Sequence, residues 1–194
     1  MMHHRRPEAD ADRTRASTNI SVAVPRYTSY PTAPHFEAGI GSTVMSGLLG
    51  SIEQSKPISL YVHVPFCDRL CWFCGCHTKH TLKYEPVANY LRSLQQEIGL
   101  IHSSLGFRPK LARLHFGGGS PSMIKSSDFF SLRACLDQAF AISPSTEISV
   151  EIDPSDVVDD TLVGLDALGL TRASIGVQDF DPHVQKAINR IQSY

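Results

Sequence analysis

Residues 59–76 read Ser59-Leu-Tyr61-Val-His-Val-Pro65-Phe-Cys67-Asp-Arg-Leu-Cys71-Trp-Phe-Cys74-Gly-Cys76. A short apolar run, the pattern of a buried strand over Ser59–Pro65, gives way to a loop with four cysteines. The spacing Cys67-x3-Cys71-x2-Cys74 puts three thiolates on one short loop. Three thiolates can hold three irons of a cubane cluster, because Cys sulfur is the protein ligand that such centres use. A closed electron-transfer cluster wants a fourth Cys. Only one residue, Gly75, separates Cys76 from Cys74, too tight for Cys76 to reach another corner of the cube comfortably. The expectation is three ligands, with one iron left open for a small molecule.

Outward from that loop the hydrophobic pattern alternates between short apolar runs and long amphipathic ones. Glu85–Ser104 carries Val87, Tyr90, Leu91, Leu94, Ile98 and Ile101 as a helical stripe. Leu111–Phe116 predicts a second strand, running into Gly117-Gly118-Gly119. Ser127 is the expected N-cap of a helix reaching about Phe140. Glu147–Ile152 predicts a third strand, and Asp160–Leu168 a third helix closed by Gly169. Ala173–Val177 predicts a fourth strand, with a fourth helix from Pro182 to Ile191. That order predicts an α/β fold with a parallel sheet and right-handed crossovers. Each motif follows the carboxyl end of a strand, where parallel α/β sheets place their ligands.

Composition narrows the function classes. The chain has 194 residues, 42% of them hydrophobic, and a net charge of −1. It can bury a core as one domain. It has no basic footprint for nucleic acid and no run of eighteen apolar residues to span a membrane. Residues 1–23 are expected to be a disordered leader, 24–58 an N-terminal arm and 59–194 the folded domain. No apolar signal segment opens the chain, and acidic residues in the leader argue against a transit peptide. A cytoplasmic monomer is the expectation. The same compartment argument disfavours disulfides. A zinc site, from four Cys or from Cys with His77 or His80, is the other reading. Structural zinc usually draws ligand pairs from two separated knuckles. Cys135 lies in an apolar helical pattern and is expected to be a buried small hydrophobe.

The C-x3-C-x2-C loop after a strand resembles the radical S-adenosylmethionine superfamily. The longer string through Cys76, with Tyr61 six residues before Cys67, is similar to a narrower family, the oxygen-independent coproporphyrinogen III oxidases (dehydrogenases) of haem biosynthesis. Four further stretches carry the likeness in that family's order: Pro25–Ala33, His115–Pro121, Glu147–Pro154 and Ser174–Asp181. The resemblance implies a partial (β/α)6 barrel, of which about four βα units stand here. Family members are more than twice this long, so an incomplete, N-terminal barrel fragment is expected. The implied reaction is oxidative decarboxylation of coproporphyrinogen III to protoporphyrinogen IX. A reduced [4Fe-4S] cluster cleaves S-adenosylmethionine, and a 5′-deoxyadenosyl radical takes hydrogen from the β-carbon of a propionate. Loss of carbon dioxide and one electron then leaves a vinyl group. An electron donor and a terminal acceptor are implied partners. A haem-binding chaperone on the same scaffold, or an inactive fragment, is the alternative.

The resemblance also implies roles for single residues. Cys67, Cys71 and Cys74 would hold the cluster. Phe73 would touch adenine, or simply lie over the cluster as an apolar lid. Cys76 would serve the substrate chemistry without binding iron; related haem-handling proteins carry an aromatic residue there. Gly118, Gly119 and Ser120 would meet the methionine amino group, although a bare glycine run is by itself an ordinary tight turn. Ser120 stands where the family usually has Thr, and Ser155 where Arg is common. Glu151 would meet the cofactor's ribose or ammonium, since a carboxylate in a buried strand needs a partner; a structural ion pair is the other reading. Gln178 and Arg190 would contact a second S-adenosylmethionine, Arg190 otherwise reading as a solvated charge on a late helix. Tyr61 would lie near the methionine moiety and the substrate, or pack with its hydroxyl satisfied.

Overall fold

A computed structural model describes residues 32–193. The expected disordered leader, most of the Pro25–Ala33 stretch and the first part of the expected arm lie outside them. Residues up to Ile40 form one unit, in which the described part holds a single 3-10 turn, Ala33–His35. The second unit runs from Gly41. It contains helix α1 (Ser42–Gly50), strands β1 (Ile58–Val64), β2 (Phe66–Cys67) and β3 (Lys79–His80), and helix α2 (Glu85–Leu105). Strand β4 (Leu111–Gly118), α3 (Ser126–Ala139), β5 (Glu147–Ile152), α4 (Asp159–Leu168), β6 (Arg172–Ile175) and α5 (Pro182–Ala187) follow. Helix α1 falls in the stretch read as an arm. It packs beside α2, and Leu49 and Ile52 join the core.

Strands β1, β4, β5 and β6 form one parallel sheet in that order. Successive side chains point to opposite faces of a strand, and here the two faces differ. Val62, Val64, Leu114, Phe116, Ile148 and Val150 are buried on one face. Val87, Leu91 and Ile98 of α2, Phe129, Leu132 and Leu136 of α3, and Leu165 and Leu168 of α4 complete that core. The opposite face carries Tyr61, His115 and Ser149, which stand side by side in the strand register. Polar side chains are tolerated there because no helix covers them. All four residues of β6 are exposed.

The helix ends show what local sequence could and could not foretell. Gly169 adopts φ +83, and a Schellman pair closes α4: Leu170 N–H to Leu165 carbonyl and Gly169 N–H to Asp166 carbonyl. Ser127 is not the cap of α3; the N-cap is Lys125, with no side-chain cap of its own. The cap comes from α4 instead. Asp160 accepts from Ser126 N–H (2.9 Å) and from the Ser126 hydroxyl (2.5 Å). Helix α5 stops at Ala187 rather than Ile191, because Asn189 takes φ +55. Asn189 N–H to Lys186 carbonyl and Arg190 N–H to Gln185 carbonyl make a second Schellman turn. Arg190 is therefore thrown off the helix and back toward the sheet. No helix among the described residues is long and apolar enough to cross a membrane.

Candidate cluster and cofactor site

A cavity of about 300 Å³ opens beyond the carboxyl ends of the four strands. Of the residues for which the resemblance implies a cluster, cofactor or substrate role, all but Tyr61 line it. The cysteine loop forms one wall with Cys67, Cys71, Phe73, Cys74 and Cys76. Gly118, Gly119 and Ser120 come from the end of β4 and the turn after it. Glu151 comes from β5, and Gln178 and Arg190 from the chain around α5.

The loop starts with strand geometry. Phe66 and Cys67 pair with Lys79 and His80 in the small parallel β2–β3 ladder, so both ends of the loop are tied down. No cysteine is in a disulfide. The Cys67 thiol is pushed up to about 11, first by burial and then by the neighbouring Cys74 and Cys71 sulfurs, against a hydrogen bond from Thr78. Three sulfurs that repel one another as anions are a donor set that gains from bound cations. Among the described residues no three His, Cys, Asp or Glu side chains gather around one ion. The ligands of a four-iron cluster need not, because each thiolate takes a different iron. Cys76 N–H points at Cys74 Sγ, 3.4 Å away.

The three glycines leave room for three different neighbours. A Cβ on Gly117 would come within 2.8 Å of Glu151 Oε2, one on Gly118 within 2.5 Å of the His63 ring, and one on Gly119 within 2.3 Å of the Phe66 carbonyl oxygen. Their amides are engaged within the chain: Gly118 N–H donates to Glu151 Oε2 (3.1 Å), Gly119 N–H to Val64 and Ser120 N–H to Phe66 (both 2.7 Å). The Ser120 hydroxyl is buried and donates to Asp156 Oδ2 at 2.5 Å.

Glu151 is not buried, contrary to the reading of its strand. It stands on the uncovered face with 47% of its side chain exposed, and its Oε1 lies 3.4 Å from His115 Nε2. No Lys or Arg pairs with it among the described residues. His115 Nδ1 meets Ser149 Oγ (2.7 Å), and its ring stacks on Tyr61 (centroids 5.8 Å apart). His63 turns Nε2 to the His77 carbonyl (2.9 Å), so that nitrogen carries the proton. Its Nδ1 then accepts from the Tyr61 hydroxyl, also 2.9 Å away. Tyr61 itself is exposed, and burial of its hydroxyl end, then the Glu151 carboxylate and Cys76, raise its pKa. The His63 ring abuts Gly118 and the His115 ring meets Glu151, and both of those partners line the cavity.

Arg190 is not a solvated charge. Its side chain is 12% exposed and pairs with Asp153 Oδ2 at 3.0 Å, while Nη2 donates to the Gly176 carbonyl at 2.6 Å. Its Nε is buried with no acceptor among the described residues. Gln178 takes φ +64 under a three-residue turn closed by Asp179 N–H to the Val177 carbonyl, a rare and costly conformation for a non-glycine residue. Sequence reasoning assigned no role to Arg69, Asp153 or Asp156. Arg69, inside the cysteine loop, reaches Asp156 Oδ1 (3.4 Å) and Asp153 Oδ2 (3.8 Å). Burial raises the Asp156 pKa, with Asp153 and Asp68 pushing the same way; Ser120 and Arg69 oppose them. An arginine between Cys67 and Cys71, with two acids after a strand, was the available signal.

Residues 61–194 match the family model of the Radical SAM superfamily. The chain is 47% identical over 171 residues to the oxygen-independent coproporphyrinogen III oxidase of Bradyrhizobium diazoefficiens, covering 88% of this chain and 38% of that protein. It is 46% identical over 175 residues to the enzyme of the same name from Paracoccus denitrificans, covering 90% and 39%. Among solved structures, coproporphyrinogen III oxidase (HemN) from Escherichia coli, a radical SAM enzyme, aligns with a TM-score of 0.78 at 38% identity, over 86% of this chain and 38% of that one. The chain thus spans less than two-fifths of the length of these relatives. The expected fold, the N-terminal part of a radical-SAM barrel, agrees with that structural match.

Proposed function

We propose, from the premise that this chain belongs to the radical SAM superfamily, that it carries the cluster and cofactor half of an oxygen-independent coproporphyrinogen III oxidase. The observation that carries this reading is one cavity lined by four thiols of a single loop, a glycine turn, Glu151, Gln178 and Arg190. The superfamily's [4Fe-4S] cluster and S-adenosylmethionine, when bound, supply one-electron reduction and a radical able to remove hydrogen from a substrate carbon. The residues fit both groups. Cys67, Cys71 and Cys74 would hold three irons. The carbonyls of Gly118 and Gly119 would accept from an ammonium, and Glu151 would accept from an ammonium or ribose hydroxyl. Phe73 would stack on adenine. Gln178 and the spare Nε of Arg190 would meet a second S-adenosylmethionine.

Cys76 supports the narrower reading. It lines the same cavity, next to the cluster cysteines and electrostatically coupled to Tyr61, and so sits where a substrate proton could be exchanged. The substrate would be coproporphyrinogen III, losing carbon dioxide from two propionates, and the cluster needs a one-electron donor. A cavity of about 300 Å³ is at the small end of the range for small-molecule sites, suited to a nucleoside-sized ligand rather than a tetrapyrrole. Anaerobic reconstitution with iron and sulfide is the test. Cys67→Ala, Cys71→Ala and Cys74→Ala should each abolish the brown chromophore, and Cys76→Ala should leave most of it. Stoichiometric zinc with no iron uptake would overturn the cluster reading. An assay with reductant, S-adenosylmethionine and coproporphyrinogen III should show protoporphyrinogen formed far more slowly by this chain than by a relative of full length. Equal rates would sink the argument from cavity size.

A further inference from the structure

The chain after α5 straps the cysteine loop from far away in sequence. Trp72 N–H donates to the Ile188 carbonyl (3.0 Å), and Asn189 Nδ2 to the Leu70 carbonyl (2.7 Å). Arg69 Nη1 reaches the Ile191 carbonyl at 3.4 Å. Between these ties sits Arg190, delivered by the Schellman turn at Asn189. Gly176 and Asp153 hold its guanidinium in place, and the same Nη1 that pairs with Asp153 lies 3.6 Å from Cys71 Sγ. A flexible surface arginine would visit such a position only in passing. This one is fixed by a carboxylate and a carbonyl, and is nearly removed from solvent.

We propose that Arg190 is a positioning residue for the cluster: it donates an N–H···S hydrogen bond to the Cys71 ligand and thereby raises the cluster's reduction potential. The proposal rests on Cys67, Cys71 and Cys74 being iron ligands. Reduction adds negative charge to the iron–sulfur core and its thiolates. A donor and a cation at a ligand sulfur stabilise that more negative state, and hydrogen bonds to sulfur and net charge are among the levers that set such potentials. Low exposure keeps water from screening the charge. Asp153 cancels part of it but aims the fork, so the directional hydrogen bond survives. Lysine could not do the same. Only the planar guanidinium can face a carboxylate, a carbonyl and a sulfur at once in one fixed geometry.

The experiment uses the whole chain, reconstituted anaerobically, with no S-adenosylmethionine present. Iron and sulfide per chain are measured first, and the midpoint potential then follows from a redox titration read by electron paramagnetic resonance. Arg190→Met should keep its iron and show a reduced-to-oxidised ratio about tenfold lower at a fixed poise, a shift of about 59 mV to more negative potential for a one-electron couple. Arg190→Lys should shift in the same direction by less. Unchanged midpoints with full iron in both variants would overturn the proposal. If Arg190→Met loses iron, Arg190→Lys decides: a negative shift supports the proposal, and an unchanged midpoint ends it. A parent chain that takes up no iron would refute the ligand assignment itself, and this inference with it.

Discussion

Three adjacent glycines in this chain are small for three separable reasons, and the reasons predict different phenotypes. The neighbour of Gly117 is the Glu151 carboxylate, the far end of a flexible side chain. Gly117→Ala should displace that carboxylate, break its bond to Gly118 N–H and leave thermal stability nearly unchanged. S-adenosylmethionine affinity should fall about tenfold, equivalent to about 1.4 kcal/mol. The neighbour of Gly119 is the backbone of β2, which carries Cys67 and cannot swing aside. Gly119→Ala should cost about 3 kcal/mol, at the upper end of ordinary overpacking, and unseat the cysteine loop. Urea denaturation and titration calorimetry on both variants separate the two effects. A Gly119→Ala protein as stable as its parent would show that β2 yields freely.

At the scale of elements, α3 and α4 are joined by a cap that neither helix could form alone. Asp160, in the first turn of α4, closes the amino end of α3 through Ser126. The Ser126 hydroxyl and then its amide hold the Asp160 carboxyl below the ordinary carboxylate range. The sign follows from that depression. The contribution is fully present above the unfolded value of about 3.9 and is lost as pH falls through the lower folded value. Asp160→Ala should therefore lower the urea midpoint at pH 7, and the gap to the parent should close as pH falls below the ordinary carboxylate range. A gap that stays constant down to acid pH would mean that the carboxylate's charge is irrelevant to the cap.

At the scale of the molecule, Asp153 joins three regions that are far apart in sequence. It lies at the end of β5, accepts from the backbone of Ser155, and pairs with Arg69 of the cysteine loop and Arg190 after α5. Gln192 Nε2 adds a fourth contact at 3.1 Å. Removing one partner of a buried pair leaves the other charge stranded. Asp153→Ala should cost about 3 kcal/mol or more, and both the loop and the last described segment should loosen. Urea denaturation gives the cost. Limited proteolysis around Trp72 and Ile188 gives the loosening. Cleavage at neither place would mean that the backbone ties hold the strap without the charge pair.

Local sequence determined the four strands of the main sheet, helices α2 to α4 and the spacing of the cysteine loop, because apolar periodicity, cysteine spacing and a C-terminal glycine such as Gly169 act over a few residues. The stretch from Ser59 to Cys76 was enough to place a four-cysteine loop at the end of a sheet strand. Tertiary structure decided what touches that loop. It set Glu151 on an uncovered face instead of in the core, and moved the cap of α3 from Ser127 to a carboxylate on another helix. It also turned Arg190 from an apparent surface charge into a largely enclosed guanidinium beside Cys71. Each of these depends on a partner between 33 and 119 residues away. Periodicity cannot encode such a meeting; the parallel sheet, by stacking every strand's carboxyl end on one side, brings it about.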